Sequence, residues 1–305
     1  MGELEEKPVW LVLLAVVFST MVGMLIGSGI GAMIGSVIYQ GEGDFFTTMA
    51  DSSVDEAKKI PLMVIQGFTT ITGFLVAPYL TWHTMRRKGW KGFSANQLNY
   101  GSLLLAMLIV CSFVIVDSAI IEWNQNIVFP DFLKVFEEWA HAKEDQLAGL
   151  MKMLTKFNSF SEFLIGMIVI GVLAGVCEEF LFRGIFQNEL NRATGNIHVA
   201  IWISAFLFSA IHVQFFGFLP RMLLGAMFGY LYHWSGNLLV PMFAHFVNNG
   251  FSVLMLYLYQ QGIIMVDLEK ETSAPWPAII AFAFITAGLL FYFKKYSDSH
   301  KPSLV

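Results

Sequence analysis

Six side chains capable of chemistry fall inside long apolar stretches of this 305-residue chain: Glu178, Glu179, Arg183, His212, His245 and Asn249. A charged side chain within a membrane span costs about 2.5 to 3.5 kcal/mol even on a lenient insertion scale, so each is expected to serve a purpose. Glu179 and Arg183 stand four apart in the string Cys177-Glu-Glu-Phe-Leu-Phe-Arg183, which places them on one helix face as an ion pair. Glu178 points about 100° away around the helix and is left without that partner. A carboxylate so placed must face something polar or take up a proton, and taking up a proton is the work of a general base. His245 and Asn249 are also four apart and leave one face of their helix, while His212 lies in the preceding part of the chain. A glutamate, two histidines and an amide aimed into one cavity could activate a water and stabilise the oxyanion of an attacked peptide carbonyl. Singly, an intramembrane His or Asn is as readily a helix-to-helix hydrogen-bonding residue; four together beside a Glu–Arg pair favour a site.

The elements that must position these groups follow from composition. With 56% apolar and 13% charged residues, the chain carries more apolar surface than one soluble core could bury, so its expected solvent is the lipid bilayer. The net charge of -5 is mild and the basic residues are scattered, which excludes a nucleic-acid footprint. A spanning helix needs roughly 17 to 25 mostly apolar residues. Eight stretches qualify: Val9 to Tyr39, Pro61 to Trp82, Tyr100 to Ile121, Phe160 to Phe186, Ile197 to Gln214, Phe216 to Trp234, Leu238 to Tyr259 and Trp276 to Phe293. The fold class expected is therefore all-α, a polytopic bundle of about eight transmembrane helices forming a single domain over residues 1–305. The first stretch lacks a basic leader and outlasts the roughly 7 to 15 apolar residues of a signal peptide, so it reads as a retained anchor.

Arg86, Arg87, Lys88 and Lys91 after the second stretch, Arg192 after the fourth, and Lys294, Lys295 and Lys301 after the eighth place those ends and both termini in the cytoplasm. Opposite connections hold Glu42, Asp44, Asp51, Asp55 and Glu56, and Asp267, Glu269 and Glu271. The long connection Glu122 to Asn158 carries Trp123, Phe132, Phe136 and Trp139 among acidic residues, as an amphipathic segment along the outer interface would, either a lid or a buttress. Gly23, Gly27, Gly31 and Gly35, and Gly225 with Gly229, recur every four residues and suit close packing inside one bundle better than dimerisation. Depth poses a difficulty. By helical rise Glu178 lies roughly 18 Å from Leu190 and His212 roughly 22 Å from Ile197, whereas His245 is only about 12 Å from Asn237, so tilt or a broken helix must bring them level.

Other chemistries are tested by absence. No His-Glu-x-x-His zinc motif and no Gly-x-Ser-x-Gly elbow is present. Gly41-Glu42-Gly43-Asp44 spells a string seen in aspartyl proteases but falls in an acidic connection and reads as a turn. Asp117 stands near the outer end of its helix, within reach of water. Arg221 beside Pro220 reads as a snorkelling or capping residue. Cys111 and Cys177 have neither zinc-knuckle spacing nor disulfide density and read as packing residues.

Glu178-Glu179-x-x-x-Arg183, Phe208-x-x-x-His212 and His245-x-x-x-Asn249, in that order on successive apolar segments, resemble the signature of the CAAX protease and bacteriocin-processing (Abi) family, which includes the type II CAAX prenyl endopeptidases. The resemblance covers residues 160 to 250, the expected catalytic motif core. It implies an eight-helix bundle in which Glu178 and His212 activate water while His245 and Asn249 steady the oxyanion. The implied activity is an intramembrane endopeptidase acting on a protein or peptide substrate, lipidated or not, in a bacterial inner membrane. Glu178, His212 and His245 are zinc ligands by type, but they come from three separate helices. No cofactor is favoured, and zinc stays open as the alternative. Rival readings are a non-enzymatic immunity or scaffold protein that uses the pocket for binding, and a small transporter relaying protons through Glu and His.

Overall fold

The computed structural model describes residues 7–50, 56–265 and 273–300. Asp51, Asp55, Asp267, Glu269, Glu271 and Lys301, which entered the reading of orientation, lie outside the described residues. Within them the chain is helical throughout, apart from turns and one isolated bridge between Ser94 and Asn237.

Nine principal helices follow one another among the described residues: α1 Val9–Ile38, α2 Glu56–Arg86, α3 Tyr100–Gln125, α4 Lys134–Leu154, α5 Phe160–Thr194, α6 Ile197–Ala210, α7 Phe218–Ser235, α8 Leu239–Gln260 and α9 Trp276–Ser299. The local chemistry of their ends accounts for several boundaries. Asn99 and Asn196 cap α3 and α6 by accepting backbone N–H groups, and Gly195 and Gly236 end α5 and α7 at φ +63°, in the left-handed region open to glycine. Gly41 to Asp44 forms a turn, from which Asp44 Oδ1 accepts Thr47 N at 3.0 Å in the short helix Phe45–Ala50.

Eight of the nine are the apolar stretches; α4 is the amphipathic connection. By length and composition α1, α2, α3, α5, α8 and α9 can each cross a membrane. The other two of the eight apolar stretches form shorter or more polar helices. Helix α6 is a shorter apolar helix of 14 residues that stops at Ala210 rather than Gln214, and α7, of 18 residues, carries Arg221 and His233. At 1.5 Å per residue α6 is about 21 Å long, short of a typical hydrocarbon core of roughly 30 Å.

The glycine ridge of α1 faces α2 within the same chain. A Cβ on Gly27 would lie 2.0 Å from Thr72 Oγ1 and 2.5 Å from the Phe68 carbonyl oxygen, so only glycine admits this approach. Thr72 Oγ1 uses the closeness, donating to the Gly23 carbonyl at 2.7 Å.

Polar contacts sort the helix ends into two sets. At one end Arg86 pairs with Glu189 and donates to the Lys7 carbonyl at 2.7 Å, Tyr232 donates to the Phe93 carbonyl at 3.0 Å, and Tyr296 donates to Asn99 at 2.9 Å. At the other, Lys59 donates to Glu162 and to the Lys156 carbonyl, both at 2.6 Å, Gln260 donates to the Thr155 carbonyl at 2.9 Å, and Asn124 donates to the Phe215 carbonyl at 3.2 Å. The start of α1 and the end of α9 thus share one end with the basic residues after α2 and α5, and α4 belongs to the opposite end. With that basic end cytoplasmic, reporters fused after Lys91 and after His300 are expected to signal the cytoplasm and one inserted within 131–145 the exterior. Unlike signals from the first two, or a cytoplasmic signal from the third, would overturn this topology.

Candidate active site

Helix α5 is not uniform. Met167–Leu173 and Phe180–Gln187 wind as π-helix on either side of the α-helical turn Ala174–Glu179. Widened turns of this kind shift side-chain directions relative to an unbroken α-helix and recur at functional sites. Here they flank the two glutamates.

Glu179 is fully buried and Arg183 nearly so. Arg183 Nη1 donates to Glu179 Oε1 at 2.7 Å and Nη2 donates to the Gly225 carbonyl of α7 at 2.7 Å. The guanidinium stands 4.7 Å from the centre of the Phe208 ring and 5.7 Å from that of Phe228, a stacked position suited to a weakly hydrated cation. Gly225 makes room for it, since a Cβ there would lie 3.0 Å from Arg183 Nη2 and 3.1 Å from Phe208. The ridge of Gly225 and Gly229 therefore packs against α5 and α6 rather than against a second chain.

Glu179 Oε1 also receives His245 Nδ1 from α8 at 2.9 Å. A carboxylate already paired with arginine accepts only, so the Nδ1 proton belongs to His245, and its Nε2 is turned to Glu178 Oε2, 4.0 Å away. Phe228 stacks on the imidazole with ring centres 5.1 Å apart. Glu178 has no share in the Glu179–Arg183 bond, and its side chain is 14% exposed. Four residues' spacing therefore separated the two adjacent carboxyls by direction: one holds helices together, the other faces open space.

That space is a cavity of about 780 Å³ lined by Glu178, His212, His245 and Asn249, with walls from α1, α2, α3, α4 and α7 as well. His212 sits in the turn after α6 instead of within a helix; its Nδ1 donates to the Phe208 carbonyl at 2.8 Å, which leaves Nε2 with a lone pair. His212 nevertheless lines the same cavity as Glu178, His245 and Asn249. Asn249 donates to the Ile170 carbonyl at 3.1 Å, inside the first π-helical segment, and its Oδ1 accepts from Asn248 at 3.1 Å. Asn248 lines the cavity and escaped the sequence reading, although its place beside Asn249 in an apolar span was a signal.

Two residues assigned to water or lipid point inward. Asp117 lines the cavity with a buried Oδ1, and Arg221 lines it too, donating to Gln214 Oε1 at 2.9 Å in place of snorkelling. Cys177 is buried as expected of a packing residue, whereas Cys111 is exposed. Helix α4 forms part of the wall through Glu144, Leu150, Met151 and Leu154, and Glu144 accepts from Gln214 at 3.0 Å. Among the described residues no three His, Cys, Asp or Glu side chains converge closely enough to hold a metal ion.

With the geometry in place, comparison with known proteins is specific. Residues 160–251 match the family described as type II CAAX prenyl endopeptidase Rce1-like. The motif-bearing segment is thus similar to that family over about 30% of the chain. Putative membrane peptidase YdiL of Bacillus subtilis is 33% identical over 106 residues, which is 32% of this chain and 43% of that protein. Membrane-embedded CAAX protease MroQ of Staphylococcus aureus is 29% identical over 100 residues, 31% of this chain and 40% of that protein. Uncharacterized protein YpbD of Bacillus subtilis is 27% identical over 138 residues, 44% of this chain and 58% of that protein. The chain thus spans about half the length of the curated relatives it matches, and no solved structure gives a significant match. Family and relatives alike point to a membrane peptidase, and the Rce1-like segment contains all six residues named at the outset.

The two glutamates are expected to fail differently. Glu179→Gln strands Arg183 in a low-dielectric interior, where breaking a buried pair costs on the order of 3 to 5 kcal/mol, so its melting temperature should fall. Glu178→Gln should melt within a few degrees of the parent, since Glu178 has no share in the buried Glu179–Arg183 pair. Thermal unfolding in detergent decides; a stable Glu179→Gln beside an unfolded Glu178→Gln would reverse the assignment.

Proposed function

We propose that this protein is an intramembrane endopeptidase that hydrolyses a peptide bond near the membrane with water activated by Glu178. The observation that carries the reading is the division of labour in α5: Glu179 is consumed by Arg183 and His245, while the adjacent Glu178 faces the cavity beside His245, His212 and Asn249. The Rce1-like match and the membrane peptidases among the relatives support it.

In this scheme the Glu178 carboxylate takes a proton from water as the water oxygen attacks the carbonyl carbon. The proton is then delivered to the departing amine. The His212 Nε2 lone pair offers a second acceptor for the same water. His245 and the Asn249 amide steady the oxyanion, and groups held in place before the reaction need no reorganisation. Burial in an apolar bundle strengthens each of these contacts. The substrate is a protein or peptide segment, lipidated or not, that enters from the bilayer; the setting is a bacterial cell membrane with both chain termini in the cytoplasm. The metal-free route is preferred because Glu178, His212 and His245 come from three separate elements without a compact ligand motif.

Purified protein in detergent with a quenched peptide library tests the activity. Hydrolysis is expected, falling by roughly 100-fold or more in Glu178→Gln with the fold retained. Equal cleavage by the two proteins would remove Glu178 as the base, and binding without cleavage would leave a non-enzymatic immunity or scaffold protein. Dialysis against a chelator is expected to leave hydrolysis intact. A loss that zinc restores would make His212 and His245 metal ligands instead.

A further inference from the structure

Arg221 and Asp117 are among the polar side chains that line the cavity and have no part in the scheme above. Arg221, near the start of α7, donates through Nη2 to Gln214 at 2.9 Å, and Gln214 donates in turn to Glu144 of α4 at 3.0 Å. Its Nη1 is buried and has no acceptor among the described residues. Asp117 of α3 presents the opposite need, a buried Oδ1 without a donor among the described residues. Both line the cavity that Glu178 faces. Gly217 leaves the space the guanidinium occupies: a Cβ there would lie 3.0 Å from Nη2 and 3.6 Å from Nη1.

A peptide that enters an apolar cavity in extended form brings the complementary problem. Its main-chain N–H and C=O groups leave water together, and each unsatisfied group is costly. One unpartnered donor and one unpartnered acceptor answer that need. A carboxylate ligand would satisfy Arg221 alone and leave Asp117 Oδ1 without a donor. A cationic ligand would satisfy Asp117 alone and be repelled by Arg221. We infer that Arg221 and Asp117 clamp the main chain of the bound peptide, Arg221 Nη1 donating to a carbonyl oxygen and Asp117 Oδ1 accepting an amide hydrogen, so that the chain lies extended beside Glu178. The inference rests on the proposal that the cavity receives a peptide. Both are positioning residues, and recognition of the main chain leaves the site tolerant of side-chain identity.

The test measures binding apart from cleavage. Fluorescein-labelled apolar nonapeptides are titrated by anisotropy into the Glu178→Gln protein in detergent, and the tightest-bound sequence is remade with single N-methyl groups at each position and with a C-terminal carboxylate or amide. In that background Asp117→Leu and Arg221→Met are each expected to weaken binding by about 10-fold or more, a loss equivalent to one good hydrogen bond. Asp117→Asn, which keeps an acceptor oxygen, and Arg221→Lys, which keeps a donor, should recover most of it. N-methylation at one position should weaken binding to the Asp117 protein and cause no further loss in Asp117→Leu.

Asp117→Asn binding as poorly as Asp117→Leu would mean recognition of charge and overturn the clamp. So would an Arg221→Met effect confined to peptides with a free carboxylate. If the Leu or Met variant unfolds, the N-methyl scan on the parent decides, and the absence of a sensitive position overturns the inference. Peptides that bind with this dependence yet are not cleaved by the wild type would refute hydrolysis and leave the clamp standing. Cleavage indifferent to both residues would do the reverse, and no binding by any peptide would refute both.

Discussion

The Glu179 carboxylate is the contact on which the rest of the structure depends. One oxygen receives Arg183 Nη1 from its own helix and His245 Nδ1 from α8, and Arg183 carries the connection on to the Gly225 carbonyl of α7. Three helices are therefore joined through one buried acid. In water such contacts would be worth little, but in a low-dielectric interior an uncompensated charge is costly, so the network is stable complete and unstable in part. That property suits it to a site: the imidazole of His245 is oriented by a bond too expensive to break, and its second nitrogen is thereby aimed at Glu178.

Packing around this hub is arranged to admit it. Lipid supplies no hydrophobic drive between helices, so close backbone approach and interhelical hydrogen bonds do the joining. Gly225 leaves room for the guanidinium, and Phe208 and Phe228 cover its faces while Phe228 also stacks on His245. Away from the site, the Gly27 contact with α2 and the buried Arg86–Glu189 pair with Trp82 hold the ends of α1, α2 and α5 together. The rigid part of the protein is thus the part that holds the carboxylates and imidazoles in register, which is what preorganised donors and acceptors require.

The cavity combines this rigid wall with a different one. Helix α4 is amphipathic: Val135 is exposed, while Met153 and Leu154 pack into the apolar core with Met63 and Phe163, and Glu144 accepts from Gln214. The cavity is bounded on one side by the elements that carry Glu178, His212 and His245 and on the other by α4.

Much of this was legible in the sequence, for reasons that are local. Polar residues in apolar stretches pointed to side chains that line one cavity, because the bilayer penalises each of them separately. The four-residue spacing of Glu179 and Arg183 joined them and turned Glu178 elsewhere, because helical geometry acts within one turn. The run of eight apolar stretches gave a helical membrane bundle. Other features depended on contacts between residues far apart in the chain. Nothing in the spacing of Glu179 and His245 announces their bond across 66 positions. The end of α6 at Ala210, the π-helical turns of α5 and the inward turn of Asp117 and Arg221 likewise arise where neighbouring helices supply or deny partners. Sequence by itself determined which residues the membrane could not tolerate without cause. Only the tertiary structure decided which of them satisfy one another and which are left facing the cavity, because satisfaction of a buried polar group is settled by whatever the fold brings within about 3 Å of it.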